Sequence, residues 1–219
     1  MSNWSIGLHS WILEDGNYAD FYTDQKRQFA LEFYSDNFEC SDSTVKCAEF
    51  IDRATYLVNA EVLYIDSEIW VLDFGVKAYR ERAIHCVPGS GFPETGIRQE
   101  TFVSELQLGQ FIRATIHLSV DHFSYMESLC QSVGVPALIY TWKIVAVNKQ
   151  CGPLIKVTGD ANDPQGYFTI DESKAKWLQV ENTLTRLEDF QGFNELQCLL
   201  LPVAPTAEGE PLANWHMHQ

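Results

Sequence analysis

The chain lacks any long hydrophobic segment and any secretory leader pattern. No apolar run approaches the roughly 20 residues that a membrane-spanning helix needs. The first residues, Met1 to Ser5, have neither the basic segment nor the continuous apolar core of a signal peptide. We therefore expect a cytoplasmic protein that does not reside in a membrane.

Basic residues are scarce. The 219 residues include 15 Lys and Arg against 30 Asp and Glu, a net charge of -15. A surface of this sign repels phosphate backbones, so we expect no nucleic-acid partner. Hydrophobic residues at 46% and aromatic residues at 13% are enough for a packed core, which excludes general disorder.

Cysteine pairs at the spacing of a metal or redox site are also missing. The six cysteines are irregularly spaced and no Cys-x-x-Cys occurs, so neither a zinc ribbon nor a disulfide framework is indicated. The chain has no Gly-x-Ser-x-Gly nucleophile motif and no phosphate-binding loop. From these patterns we expect reduced cysteines, and we predict neither a cofactor nor a metal ion.

The clearest pattern that is present lies in the segment 111–147. Apolar and polar residues alternate over 111–120, which is typical of a half-buried strand. Residues 138–147 are dense in β-branched and aromatic types and predict a second strand, covered on both faces for most of its length.

Between these strands the sequence predicts a helix of about three turns over 121–133. Asp121 stands at the N-cap position, and Ser124 and Glu127 have the spacing of a capping box. Gly134 marks the expected C-terminal end of the helix.

The remaining pattern is dominated by short strands. Strands are predicted over 4–13, 29–34, 57–65, 69–76, 102–108, 154–157 and 195–203. Two further short helices are predicted over 46–53 and 173–178. The sequence therefore predicts a mainly β fold, a barrel or sandwich of about nine to eleven short antiparallel strands with one well-defined helix at about 121–133.

Glycine and proline cluster in 85–96, which indicates a loop between two lobes. The predicted organisation is an N-terminal β lobe over 1–85, a C-terminal β lobe with the helix over 97–203, and an extended tail over 204–219. The lobes share an order of strand, variable connection and strand pair, which suggests a duplication. The alternative is that β-proteins reuse the same residue types and that both lobes pack as one domain.

Four side chains are candidates for chemistry. His117, Asp121 and His122 lie about the predicted strand-to-helix turn, where a carboxylate could orient an imidazole for general-base work or for metal binding, although the sequence indicates no third ligand. The structural alternative is that Asp121 only caps the helix. Asp73 lies inside an apolar run, where a carboxylate needs a hydrogen-bond network or belongs to a site.

An acidic turn with neighbouring aromatic residues is the candidate partner-binding surface. Asp15 and Asp20 supply negative charge, and Tyr18, Phe21 and Tyr22 are expected to add exposed aromatic area. Such a mixture is favoured in protein interfaces. The alternative interpretation is an ordinary solvated turn.

These patterns favour a non-catalytic acidic interaction module of the cytoplasm, such as an inhibitor, an immunity-type protein or a regulatory protein. Its expected partner is another protein with a basic surface. The alternative is an enzyme or small-molecule-binding β-barrel protein whose pocket uses His117, His122 and Asp73. A homo-oligomer is a third alternative.

Overall fold

The computed structural model of the protein describes residues 3–35, 37–82, 105–157, 167–171, 173–187 and 190–206. The predicted inter-lobe loop 85–96, the N-terminal part of the strand expected over 102–108 and most of the tail 204–219 lie outside the described residues. Within them the fold is mainly β, as predicted.

Fourteen strands are described, and we number them in chain order. They are β1 (Asn3–His9), β2 (Lys26–Phe29), β3 (Leu31–Tyr34), β4 (Phe38–Cys40), β5 (Cys47–Asp52), β6 (Thr55–Ile65), β7 (Ile69–Asp73), β8 (Lys77–Glu81), β9 (Phe111–Val120), β10 (Tyr140–Cys151), β11 (Leu154–Val157), β12 (Tyr167–Ile170), β13 (Lys176–Val180) and β14 (Phe190–Leu200). The described helices are α1 (Ser10–Glu14), α2 (Ser124–Glu127) and a 3-10 helix (Leu129–Gln131).

A five-stranded barrel is the centre of the fold. Its strands close in the order β9, β3, β8, β7, β6 and back to β9. The alternation that predicted β9 places its apolar side chains inside the barrel, where they are buried. Trp70 fills the interior beside Phe33 and Phe38, with ring centroids 5.0 Å away in each case.

The same sheet continues outside the barrel. Strand β1 pairs with β14, β14 with β10, and β10 with β13 and β2, while β4 pairs with β9. Strands β11 and β12 form a separate ribbon. Strands from the two predicted lobes pair directly, since β9 bonds to both β3 and β6. The duplication itself stays a prediction.

The predicted helix over 121–133 is wrong in length. The structure has only α2 and the short 3-10 helix in this segment. The Asp121 carboxylate accepts a hydrogen bond from the Tyr79 hydroxyl of the barrel, and Phe123 has a left-handed φ of 94°, so α2 begins only at Ser124. Ser128 then leaves the helical region with φ -137°. Gly134 has a positive φ of 87°, but it does not end a helix as predicted, because the last helical residue is Gln131.

The two other predicted helices are also wrong. Of the segment 46–53, residues 47–52 form edge strand β5, because hydrogen bonding to β6 overrides a helical spacing of apolar residues. Arg53, at φ 48°, turns the chain between the two strands. Residues 176–180 form β13 on the edge of β10. None of the described helices is long and apolar enough to cross a membrane.

Candidate functional site

Strand β5 is an edge of the large sheet. It pairs with β6 and, among the described residues, with no other strand. Its side chains are mostly exposed on both faces, and Phe50 and Ile51 are 56% and 53% exposed. Glu49 and Asp52 flank these two residues. An open strand edge presents unpaired backbone groups that can accept a further strand.

A cleft opens on the Phe50 face of this edge. It has a volume of about 210 Å³ and lies between the β5–β6 hairpin and strands β1 and β14. Three aromatic rings line it. The rings of Trp4 and Tyr56 are 5.2 Å apart, and those of Phe50 and Tyr56 are 5.6 Å apart.

The carboxylate of Glu195 also lines the cleft. Glu195 is buried in β14, where Oε1 accepts a hydrogen bond from Ser5 Oγ and Oε2 accepts one from Asn148 Nδ2 at 3.1 Å. A carboxylate has about four acceptor positions, so two bonds leave it able to accept more. No ion pair joins Glu195 to a basic side chain in the described part of the chain.

The cleft is held by the local hydrogen bonds of β1. The Tyr56 hydroxyl accepts from Ser5 N at 2.6 Å and donates to Ser5 O at 3.1 Å. This phenol satisfies the backbone of β1 where the strand leaves β9, since β1 and β9 pair only at Gly7 and Ser119. The rings of Trp4 and Tyr56, which form the aromatic wall of the cleft, are therefore held in place. Of the three rings that line the cleft, only that of Phe50 is largely exposed.

The sequence-predicted residues Asp121 and His122 lie elsewhere, on the outer face of the barrel. They meet Glu32 of β3, whose Oε1 is 2.7 Å from His122 Nδ1. The hydrogen bond to Glu32 raises the pKa of His122 to about 9. Burial, assisted by the charge of Glu32, raises the pKa of Asp121 to about 7.

His117 does not join this cluster through a hydrogen bond. Its ring lies 5.8 Å from the ring of Phe193, and Nδ1 is 3.5 Å from Thr55 Oγ1. Burial, with the neighbouring charge of His9, lowers the pKa of His117. No described hydrogen bond places a carboxylate on this imidazole, so the expected pairing with Asp121 is not formed.

Asp73 has a structural partner. Its Oδ2 is 2.8 Å from Lys46 Nζ, and Glu61 Oε2 is 2.6 Å from the same ammonium group. The ion pair with Lys46 offsets the energetic cost of placing the Asp73 carboxylate in an apolar run. His117, His122 and Asp73 therefore lie in three different environments, and the alternative of an enzyme or ligand-binding barrel stays a prediction.

The acidic turn differs from the expected exposed aromatic surface. Tyr18 and Phe21 are buried in the core, so their rings are not available to a partner. Tyr22 is exposed and is the aromatic residue that this surface does present. Asp20 accepts a hydrogen bond from Thr183 Oγ1 at 2.7 Å, while Asp15 is exposed. Partner binding through Asp15 and Asp20 stays a prediction.

Sequence reasoning missed Glu32 and Glu195. Each lies at a polar position of a predicted strand, where a carboxylate is ordinarily solvated. Their partners are distant in the chain, and no local spacing could indicate them.

Comparisons of the chain with protein-family models, with curated proteins and with solved structures find no match. The function is therefore inferred from the geometry of the site alone.

Proposed function

We propose that this protein is a non-catalytic interaction module that binds an extended, basic segment of a partner protein. The segment adds as a strand to the edge of β5 that no other described strand covers, and one of its Lys or Arg side chains enters the cleft beside Glu195. The observation that carries the proposal is the combination of three aromatic rings and a buried carboxylate next to an open strand edge.

The chemistry of the cleft favours a cation. A Lys or Arg head group is attracted to the faces of aromatic rings, and a Trp ring is the most favourable. Phe50 supplies an exposed ring, which packs on the buried ring of Tyr56, and Glu195 supplies the counter-charge. The volume of about 210 Å³ is below the roughly 300–1,000 Å³ of sites for drug-sized ligands, so a single side chain fits better than a small molecule.

The edge supplies the second part of the recognition. In strand addition, backbone hydrogen bonds give affinity and alternate side chains give specificity. Phe50 lines the cleft and the neighbouring Ile51 does not, and both side chains are exposed. A bound segment can therefore place one side chain in the cleft and the next against Ile51.

The charge of the chain selects the partner. Net charge -15 attracts a basic segment and raises its rate of association. A second copy of this chain is disfavoured as the occupant, because it would bring Glu49 and Asp52 of one β5 against those of another.

Calorimetric titration with two short blocked peptides tests the proposal. One peptide alternates valine with lysine, and the other has glutamine in place of each lysine. We expect binding of the lysine peptide only, with affinity that falls as salt rises. Glu195→Gln should weaken this binding about 10-fold, which corresponds to about 1.4 kcal/mol.

Glu49→Gln is the matched control, because it removes the same charge from an exposed position on the other face of β5. It should change affinity less than about threefold. Equal binding of both peptides, or equal losses in the two variants, would contradict recognition by the cleft.

A further inference from the structure

A second cluster of polar groups lies on the outer face of the barrel, away from the cleft. Glu32 projects from β3, and Asp121 and His122 follow the end of β9. One carboxylate oxygen of each acid and one ring nitrogen of His122 all lie within 4.8 Å of one another. Pairing of Glu32 with Ser119 in the β3–β9 ladder brings these distant parts of the chain together.

Each of the three side chains has a partner that fixes its orientation. Ser124 Oγ lies 2.7 Å from Nε2 of His122, so Nδ1 is the ring nitrogen that faces Glu32. The other oxygen of Glu32 accepts from the Tyr34 hydroxyl at 3.0 Å. Metal-binding imidazoles and carboxylates are held in this way by outer hydrogen-bond partners.

Asp121 supplies an observation that these hydrogen bonds do not explain. Its Oδ1 accepts from the Tyr79 hydroxyl and from Tyr125 N at 3.4 Å. Its Oδ2 is buried and has no hydrogen-bond partner among the described residues. Asp121 as a whole is 0% exposed, and an unsatisfied carboxylate oxygen at such a position is costly.

The charges of the cluster do not balance within the cluster. With both buried acids ionised, two carboxylates face one imidazole, which carries at most one positive charge. Glu81 adds a further negative charge, with Oε1 3.7 Å from His122 Nε2. A divalent cation bound by the three side chains would neutralise this excess.

We propose that Glu32, Asp121 and His122 bind a divalent first-row transition-metal ion. An imidazole nitrogen with two carboxylate oxygens suits Zn²⁺, whose bonds to these atoms are about 2.0–2.2 Å long. The 2.7 Å separation of Glu32 Oε1 from His122 Nδ1 needs to widen only to about 3.3 Å for both atoms to bind one tetrahedral ion.

The same ligand set predicts an order of affinity among metal ions. Zn²⁺ should bind more tightly than Mn²⁺, and both more tightly than Mg²⁺ or Ca²⁺, which prefer sites made of oxygen alone. Three protein ligands leave at least one coordination position for water. The His122 side chain, 28% exposed, marks the side from which that position is reached.

Titration calorimetry of the full chain with Zn²⁺ alone tests the proposal. Several competing thiol and imidazole donors are removed first, in a background used throughout: Cys40→Ser, Cys47→Ser, His85→Ala, Cys86→Ser, His216→Ala and His218→Ala. We expect one bound Zn²⁺ per chain. His122→Gln and Glu32→Gln should each weaken Zn²⁺ binding by at least about 10-fold, since loss even of an outer hydrogen-bond partner costs about 10–100-fold.

Glu127→Gln is the matched control, because Glu127 is exposed on α2 close to the cluster in sequence. It should leave the affinity within about twofold. His122 is only half-buried, so His122→Gln remains a usable variant if Glu32→Gln fails to fold, and urea midpoints identify that case. No binding, equal affinity in all variants, or tighter binding of Mg²⁺ than of Zn²⁺ would overturn the proposal.

Discussion

Phe50 of β5 lies directly opposite Tyr56 of β6, and their ring centroids are 5.6 Å apart in an edge-to-face arrangement. The pair connects an exposed strand edge to a fixed aromatic wall, because Tyr56 also contacts Trp4 and bonds to the backbone of Ser5. Phe50 therefore belongs both to the strand edge and to the cleft at which we propose that the partner binds.

We predict that Phe50→Ala weakens binding of the lysine peptide about 3- to 10-fold while lowering the free energy of unfolding by less than about 1 kcal/mol. The ring is largely exposed, so its truncation removes a cross-strand pair and a cation contact but little core. Calorimetry and urea unfolding measure the two effects. The control is Ile51→Ala, which is similarly exposed but does not line the cleft. An equal loss of affinity there would contradict the prediction.

We predict that Trp70→Ala lowers the free energy of unfolding by about 3–5 kcal/mol, because a large side chain is lost from the barrel interior. Leu178→Ala, at an exposed position of β13, should cost less than about 0.5 kcal/mol. Urea midpoints measure both. Similar costs for the two substitutions would show that Trp70 is not a core residue.

Gly7 marks a close approach between β1 and β9. A Cβ atom there would lie 2.8 Å from His117 Nε2 and 3.2 Å from the carbonyl oxygen of Leu118. We predict that Gly7→Ala lowers the free energy of unfolding by about 1–3 kcal/mol through overpacking. In the double variant with His117→Ala part of this loss should be recovered, because the nearest atom is gone. A Gly7→Ala protein as stable as the wild type would contradict this account.

His117 should make the fold sensitive to acid. Burial and the charge of His9 lower the pKa of His117 below its ordinary value of 6.5, so the unfolded chain binds this proton more readily than the folded chain. The contribution of His117 to stability is therefore complete above pH 6.5 and falls as the pH drops below it. At the neighbouring His9 the charge of Glu32 raises the pKa, but burial lowers it by more, so the pKa of His9 is also below its ordinary value.

The measurement is the difference in unfolding free energy between wild type and His117→Asn. Taking the difference cancels most contributions of groups common to both proteins. We predict that the wild type loses more stability than the variant between about pH 7.5 and about pH 5. A difference that stays constant, or that moves in favour of the wild type in acid, would refute the prediction.

The sequence predicted the barrel where local pattern and burial agree. Strand β9 has the predicted bounds, 111–120, because its alternation matches a barrel wall with one buried face. The hairpin of β6 and β7 follows from two β-branched runs on either side of a short polar turn. In both cases the hydrophobic pattern and the tertiary environment require the same conformation.

The failures arise where a distant contact decides the local structure. The Asp121 carboxylate would cap a helix in isolation, but the Tyr79 hydroxyl binds it across the barrel surface. Strand β5 is exposed on both faces, so it has no alternation to indicate a strand. Of the outer cluster the sequence indicated Asp121 and His122 but not Glu32. It did not indicate the cleft, because three-dimensional pairing alone brings its residues together.

Amide and indole chemical shifts during titration with the lysine peptide test the central claim most directly. We predict that the largest changes fall on the amides of β5 and on the indole N–H of Trp4, with smaller changes at Glu195 and its neighbours. The acidic turn at Asp15 and Asp20 serves as an internal comparison, because charge alone would also draw the peptide there. Shifts confined to that turn, or spread evenly over the acidic surface, would contradict recognition of a basic segment at the β5 edge.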